Sequence, residues 1–269
     1  IGSDVGSGTL QKMKEEMPGQ FFMEGIQEQN IIGMATGLAL SGKIVYVNTI
    51  ATFITRRCFE QVLLDVGRHN AKVRLLANGG GLVYSALGHT HVAPDDIALM
   101  RTIPNMTIIA PCDKEEMKRL MPQTVDWDSP IYIRFAGDEP IVSGMGFKIG
   151  EARVVEGGDK SVVIATGSTF KLALNTRDTT VIYVPTIKPI DKRIAEWVKK
   201  FPQIITVEEH CINGGLGTAV LELLNEHGIN KPVKRIGIPD EYCDFYGTRE
   251  EQLEHYGITK EAIENAISE

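Results

Sequence analysis

Short apolar runs of strand length alternate along this chain with stretches whose apolar residues recur at helical spacing. Residues 44–48 (IVYVN) form a near-continuous apolar run, as expected of a strand buried on both faces. From Thr52 to about His69 the spacing turns helical, and residues 72–78 (KVRLLAN) predict the next strand. Pro94 opens a helix, PDDIALM, with two acids in its first turn, where the helix dipole favours them. Residues 105–111 (NMTIIAP) predict a short strand, Asp113 an N-cap for KEEMKRLM, and residues 130–135 (PIYIRF) a further strand. Residues 136–160 are richer in Gly, Pro and charge and read as a domain junction. Beyond it, residues 161–168, 179–185 and 203–209 predict the strands of a second unit, and GGLGTAVLELLNEHG a helix entered through glycines. The pattern predicts an α/β chain of two domains, 1–140 and 141–269, each a mostly parallel sheet flanked by helices. Two places resist it. Only about ten residues separate Ser168 from Thr179, fewer than the dozen or so of a full crossover helix, so the crossover is reduced or residues are absent from the sequence. The opening IGSDVG also reads as if it began inside an element, with the first elements missing.

Composition narrows the class. Hydrophobic residues make up 43% of the 269 and charged residues 23%, which predicts a folded, soluble chain and not a disordered one. The net charge of −7, without a basic block, gives no support for nucleic-acid binding. Cysteines 58, 112, 211 and 243 are scattered without a CxxC pair, so a reducing, cytoplasmic setting is expected and a disulfide scaffold is not. The histidines include His89 and His91, but no H-E-x-x-H or zinc-ribbon spacing occurs, and no metal ligands are assigned to this chain. No apolar run has transmembrane length, and no leader-like segment opens the sequence.

The candidate chemistry centres on residues 22–30, FMEGIQEQN. A short apolar run stops at Gly25, and acids and amides then crowd the start of a small-residue helix. Glu28 therefore sits where a strand hands over to a helix, the place where α/β sheets put their sites. A plain first-turn acid is the other reading. Gly214, Gly215 and Gly217 could cradle an anion at a helix N-terminus or let helix pack closely on sheet. His210, at a strand end, could cap an interface or approach a pocket mouth.

Read in order, FFMEGIQEQN, TFITRRCFEQ, GHTH, RTIPNMTIIAPCD and PIYIR, then ATGS, PTIKPID, TVEEH and GGLG, resemble the C-terminal half of transketolase over nearly the whole chain. The resemblance implies a pyrimidine-binding domain followed by a transketolase C-terminal domain. It also implies a thiamine diphosphate site with Mg²⁺. No GDG followed by a suitable Asn is present, so the diphosphate and the metal are expected on a separate N-terminal subunit, in an α2β2 heterotetramer. By resemblance Glu28 is the catalytic glutamate that hydrogen-bonds the pyrimidine ring, and Phe53 lines the pyrimidine pocket. Arg56, one turn on, is placed on the cofactor side; contact with substrate or a partner carboxylate, or a solvated position, are its alternatives. His91 matches the GPTH histidine facing the reacting carbon, and a neutral imidazole suits proton transfer there. His89, which replaces the usual proline, joins it on the substrate side. Arg134 matches an arginine that grips substrate phosphate, with a buried structural ion pair as the alternative.

Two departures bear on substrate. Ala86–Leu87 stand where transketolases carry an acidic pair that reads a sugar hydroxyl, and the Asn78–Gly81 run replaces an upstream histidine. The activity implied is transfer of a two-carbon ketol unit from a ketose donor to an aldehyde or ketone acceptor, a phosphorylated sugar among the candidates. The alternatives are the beta subunit of a 2-oxo acid dehydrogenase and a scaffold subunit without catalysis.

Overall fold

A computed structural model describes residues 1–3, 10–141, 146–155, 157–174 and 176–269. Residues 4–9, which include half of the opening IGSDVG, residues 142–145 and 156 of the junction read from the sequence, and residue 175 of the short crossover lie outside the described residues.

The first sheet has the order β1-β2-β4-β3-β8, from β1 (Val45–Ile50), β2 (Val73–Asn78), β3 (Thr107–Ile109), β4 (Ile131–Phe135) and β8 (Thr186–Lys188). The second has the order β10-β9-β6-β7-β5, from β5 (Arg153–Val155), β6 (Val162–Ala165), β7 (Thr180–Tyr183), β9 (Ile204–Cys211) and β10 (Val233–Ile238). Pairing is parallel except at one edge of each sheet, where β8 lies antiparallel to β3 and β5 antiparallel to β7. β6, with all four residues buried, is apolar on both faces, as expected of a strand covered on both sides. β8 follows the last residues of β7 yet joins the first sheet, so the two domains share a strand. The short crossover is a reduced one: a 3₁₀ turn at Gly167–Thr169 and a helix at Phe170–Leu174 connect β6 to the parallel β7.

Register decides where the site can lie. Ile50 pairs with Asn78, and Asn78 with Phe135, so the C-terminal ends of β1, β2 and β4 finish side by side. The segments leaving them therefore gather at one edge of the sheet, the usual place for a binding crevice in this architecture. One leads into the Phe53 helix and another into the loop carrying His89 and His91. Among the described residues no helix is long and apolar enough to cross a membrane.

Candidate functional site

Glu28 is the first residue of the helix Glu28–Leu40 and is only 4% exposed. Its Oε2 lies 3.4 Å from Nη1 of Arg57, while its Oε1 is buried without a partner. A buried carboxylate oxygen lacking a hydrogen bond is costly and marks a place where an external donor fits. Glu28 lines a cleft of about 430 Å³ together with Ile26, Gln27, Gln29, Asn30 and Arg57. The Arg57 guanidinium also lies over the Phe53 ring, 3.8 Å from its centroid. Phe53 in turn meets the His91 ring edge-on at 5.3 Å. Glu28, Arg57, Phe53 and His91 thus form a contiguous row. Nδ1 of His91 is bonded to the Thr90 hydroxyl at 2.9 Å. Cys58, next to this row, is inert: burial, with Glu28 nearby and Arg57 opposing, pushes its thiol up to about 12.

Arg57 is the residue that sequence reading missed. It lies in the turn that follows the helix Ala51–Thr55, and its guanidinium comes back over the Phe53 ring four positions before it. The resemblance points instead to Arg56, three positions on, and the structure gives Arg56 a different partner. Its Nε and Nη2 form a forked ion pair with Asp95, at 2.8–3.1 Å, and its Nη1 donates to the His89 carbonyl at 3.4 Å. Arg56 therefore ties the histidine loop to the helix Asp96–Arg101 and does not join Glu28. His89 meets a different ring, in an edge-to-face contact with Tyr242 of the second domain at 5.3 Å, and its Nδ1 is buried without a partner.

Arg134 also has partners other than those the resemblance implies. At the end of β4 it is 6% exposed; its Nε donates to Asp96 Oδ2 at 2.9 Å and its Nη2 to the Glu209 carbonyl of β9. Its stem runs under the glycine loop so closely that a Cβ on Gly80 would lie 2.3 Å from Arg134 Cγ. The Asp96 contact is the buried ion pair of the alternative reading, and the bond to the Glu209 carbonyl joins the two domains. Asp96 also accepts from the Tyr132 hydroxyl at 2.7 Å.

The glycine cradle of the second domain is filled from within. Glu208 accepts from the backbone N–H groups of Leu216 and Gly217 at 2.6 and 2.8 Å, at the start of the helix Leu216–Glu226. A Cβ on Gly215 would lie 1.9 Å from its carboxylate. Burial raises Glu208 to about 7, against the pull of those N–H groups and of Arg134 and Arg235. His210 is wholly buried at the domain interface. Nδ1 donates to the Cys211 carbonyl at 2.7 Å, and Nε2 accepts the Ala98 N–H at 3.3 Å. Burial depresses its pKa, which matches the neutral tautomer these bonds require.

The fold and this row define a class: a two-domain α/β chain with a buried acid at the C-terminal edge of its first sheet, opening on an exposed cleft. Residues 1–138 match the model of the transketolase pyrimidine-binding domain and residues 150–263 that of the transketolase C-terminal domain, so the chain belongs to the transketolase family. It is 38% identical to an apulose-4-phosphate transketolase subunit of Phocaeicola vulgatus, over 96% of this chain and 86% of that one. It is 35% identical to the putative transketolase C-terminal section of Methanocaldococcus jannaschii, over 100% of this chain and 89% of that one. Among solved structures, one described as a split gene transketolase, inactive beta4 tetramer, superposes with a TM-score of 0.89 at 29% identity, covering 99% of this chain and 89% of that one. The chain is thus one component of the split, transketolase-like kind of enzyme.

Proposed function

We propose that this chain supplies the pyrimidine side of a split, thiamine-diphosphate-dependent transketolase, with the diphosphate and Mg²⁺ held by a separate N-terminal subunit. One observation carries the reading: Glu28 lines an open cleft and keeps a buried, unpartnered carboxylate oxygen, Oε1. A carboxylate so placed suits a ring nitrogen that must be held by a hydrogen bond, and Phe53 supplies an aromatic wall beside it. When bound, the cofactor supplies an electron sink for cleaving and re-forming a carbon–carbon bond next to a carbonyl.

The remaining roles belong to this chain. Glu28 holds a proton between its Oε1 and the pyrimidine. With Nδ1 tied to Thr90, His91 presents Nε2 to exchange a proton with a substrate hydroxyl. His89 lines the substrate side, next to Tyr242. Arg57, with its side chain 48% exposed, is the cation facing the cleft and the group on this chain best placed for a substrate phosphate. The donor is a ketose and the acceptor an aldehyde or ketone; the name of the Phocaeicola relative supports a phosphorylated sugar. The assembly is an α2β2 heterotetramer in the cytoplasm. Two relatives support a chain that needs its partner: one is named as a single subunit of its transketolase, and the other is described as an inactive beta4 tetramer.

Calorimetry and light scattering test this together. The chain alone should bind thiamine diphosphate weakly, with or without Mg²⁺, and show no turnover. Co-expressed with the diphosphate-binding subunit, it should give an active particle with the mass of two of each chain. Tight Mg²⁺-dependent binding by the isolated chain, or an active homo-oligomer, would overturn the split-site reading; an active one-to-one dimer would overturn the tetramer.

A further inference from the structure

The loop that carries His89 and His91 is anchored at its root by the second domain. Leu82 donates its backbone N–H to Glu209 Oε1 at 2.8 Å, a contact spanning 127 residues of sequence. The same carboxylate receives Arg249 Nε at 3.0 Å, Arg249 Nη2 at 2.6 Å and the Ser168 hydroxyl at 2.8 Å. Arg249 reaches back to Asp138 of the first domain at 2.8 Å. Burial alone would raise the Glu209 carboxyl, but Arg249, Arg134 and the Leu82 N–H hold it below its ordinary value, so it is a charged acceptor at four donors. The anchored end of the loop is also its closing end, because Ala93 donates to the Gly81 carbonyl at 2.8 Å. Fixing Leu82 therefore fixes the strand of chain that leaves His91 two residues before Ala93. Gly81 sits at φ +69° against Glu209, a Cβ there meeting its Cδ at 2.8 Å, which leaves the loop root one way to pass the carboxylate.

We infer that Glu209, on β9 of the second domain, is a positioning residue for His91. It acts through Leu82 and the closed loop, and Arg249 holds it in place. This rests on the role given to His91 above. It assigns the second domain, which touches neither Glu28 nor Phe53 through this network, a part in setting the reaction geometry. Small displacements of a positioned group carry large rate penalties.

A double-mutant cycle on the co-expressed, assembled enzyme tests it. Glutamine at 209 keeps the size but sets an NH₂ against two donors. Glu209→Gln should lower kcat by ~10- to 100-fold, leave the apparent cofactor affinity unchanged, and speed amide exchange in residues 82–93 without affecting β1 and β2. In a His91→Ala background the same substitution should change kcat less than about twofold, because there is no imidazole left to misplace. Arg249→Lys, which keeps the charge but not the fork, should give the same pattern and replaces Glu209→Gln if that variant does not assemble. Equal fold-losses in both backgrounds, or an unchanged kcat, would overturn the positioning role. If His91→Ala itself turned over like wild type, the functional reading of His91 would be the part that fails.

Discussion

Replacing Arg134 by Ala separates two accounts of one residue. By resemblance its fork grips a substrate phosphate. In the structure that fork is spent on Asp96 and the Glu209 carbonyl. Removing it strands Asp96, which is fully buried and whose Oδ1 already lacks a hydrogen bond; only the Tyr132 hydroxyl and, 3.9 Å away, His210 would remain. Breaking a buried pair by deleting one partner costs ~3–5 kcal/mol, because the other charge stays desolvated. For a chain of this size that corresponds to a melting point lower by about 10 °C. Urea unfolding of the chain, followed by near-ultraviolet circular dichroism, reads the stability. KM values of the assembled enzyme for a phosphorylated and an unphosphorylated donor read the site. The expected result is a large loss of stability, with any loss of activity shared equally by both donors. Adding Asp96→Asn should recover part of the stability by removing the stranded charge. A stability loss under about 1 kcal/mol, with KM rising only for the phosphorylated donor, would refute the reasoning and return Arg134 to the substrate.

Two further outcomes are expected. Glu28→Gln should leave assembly intact and lower kcat by roughly a hundredfold or more, since glutamine keeps the shape but not the carboxylate; turnover within a few-fold of wild type would make Glu28 structural. Glu208 predicts a pH dependence of stability. Burial raises it from 4.5 to about 7, so between those values the folded state binds more protons than the unfolded state, and its contribution falls as pH rises through that window. The stability difference between wild type and Glu208→Gln should therefore change by ~3 kcal/mol, to the disadvantage of wild type, from about pH 4.5 to 7.5. A difference constant across that range would show that Glu208 is charged throughout.

Local pattern was enough for most elements of this chain. β2, β3, β4, β6 and β7 fall within the runs read from the sequence, and β1 and β9 overrun theirs by two residues, because strands buried on both faces are largely apolar. Asp113 caps the helix Lys114–Val125 by accepting the Glu116 N–H at 2.8 Å, a bond made within four residues and so legible in sequence. The helix start at Glu28 was legible for the same reason, although the apolar run before it forms only an isolated bridge at Met23 and no strand. Side-chain partners were not. Arg56 and Arg57 are adjacent in sequence, yet one meets Asp95 and the other Glu28 and Phe53, a choice made by the turn that follows the helix Ala51–Thr55. The glycines at 214–217 look like an anion cradle in sequence, and only the packed fold shows the chain's own Glu208 inside it. β8 joins the first sheet although it belongs to the second half of the chain, because an unpaired edge at β3 was available to it. Arg134 meets Glu209 across 75 residues of sequence. Periodicity carries information over a turn or two of chain, whereas the partner of a buried charge is decided by what the whole fold brings within about 3 Å of it.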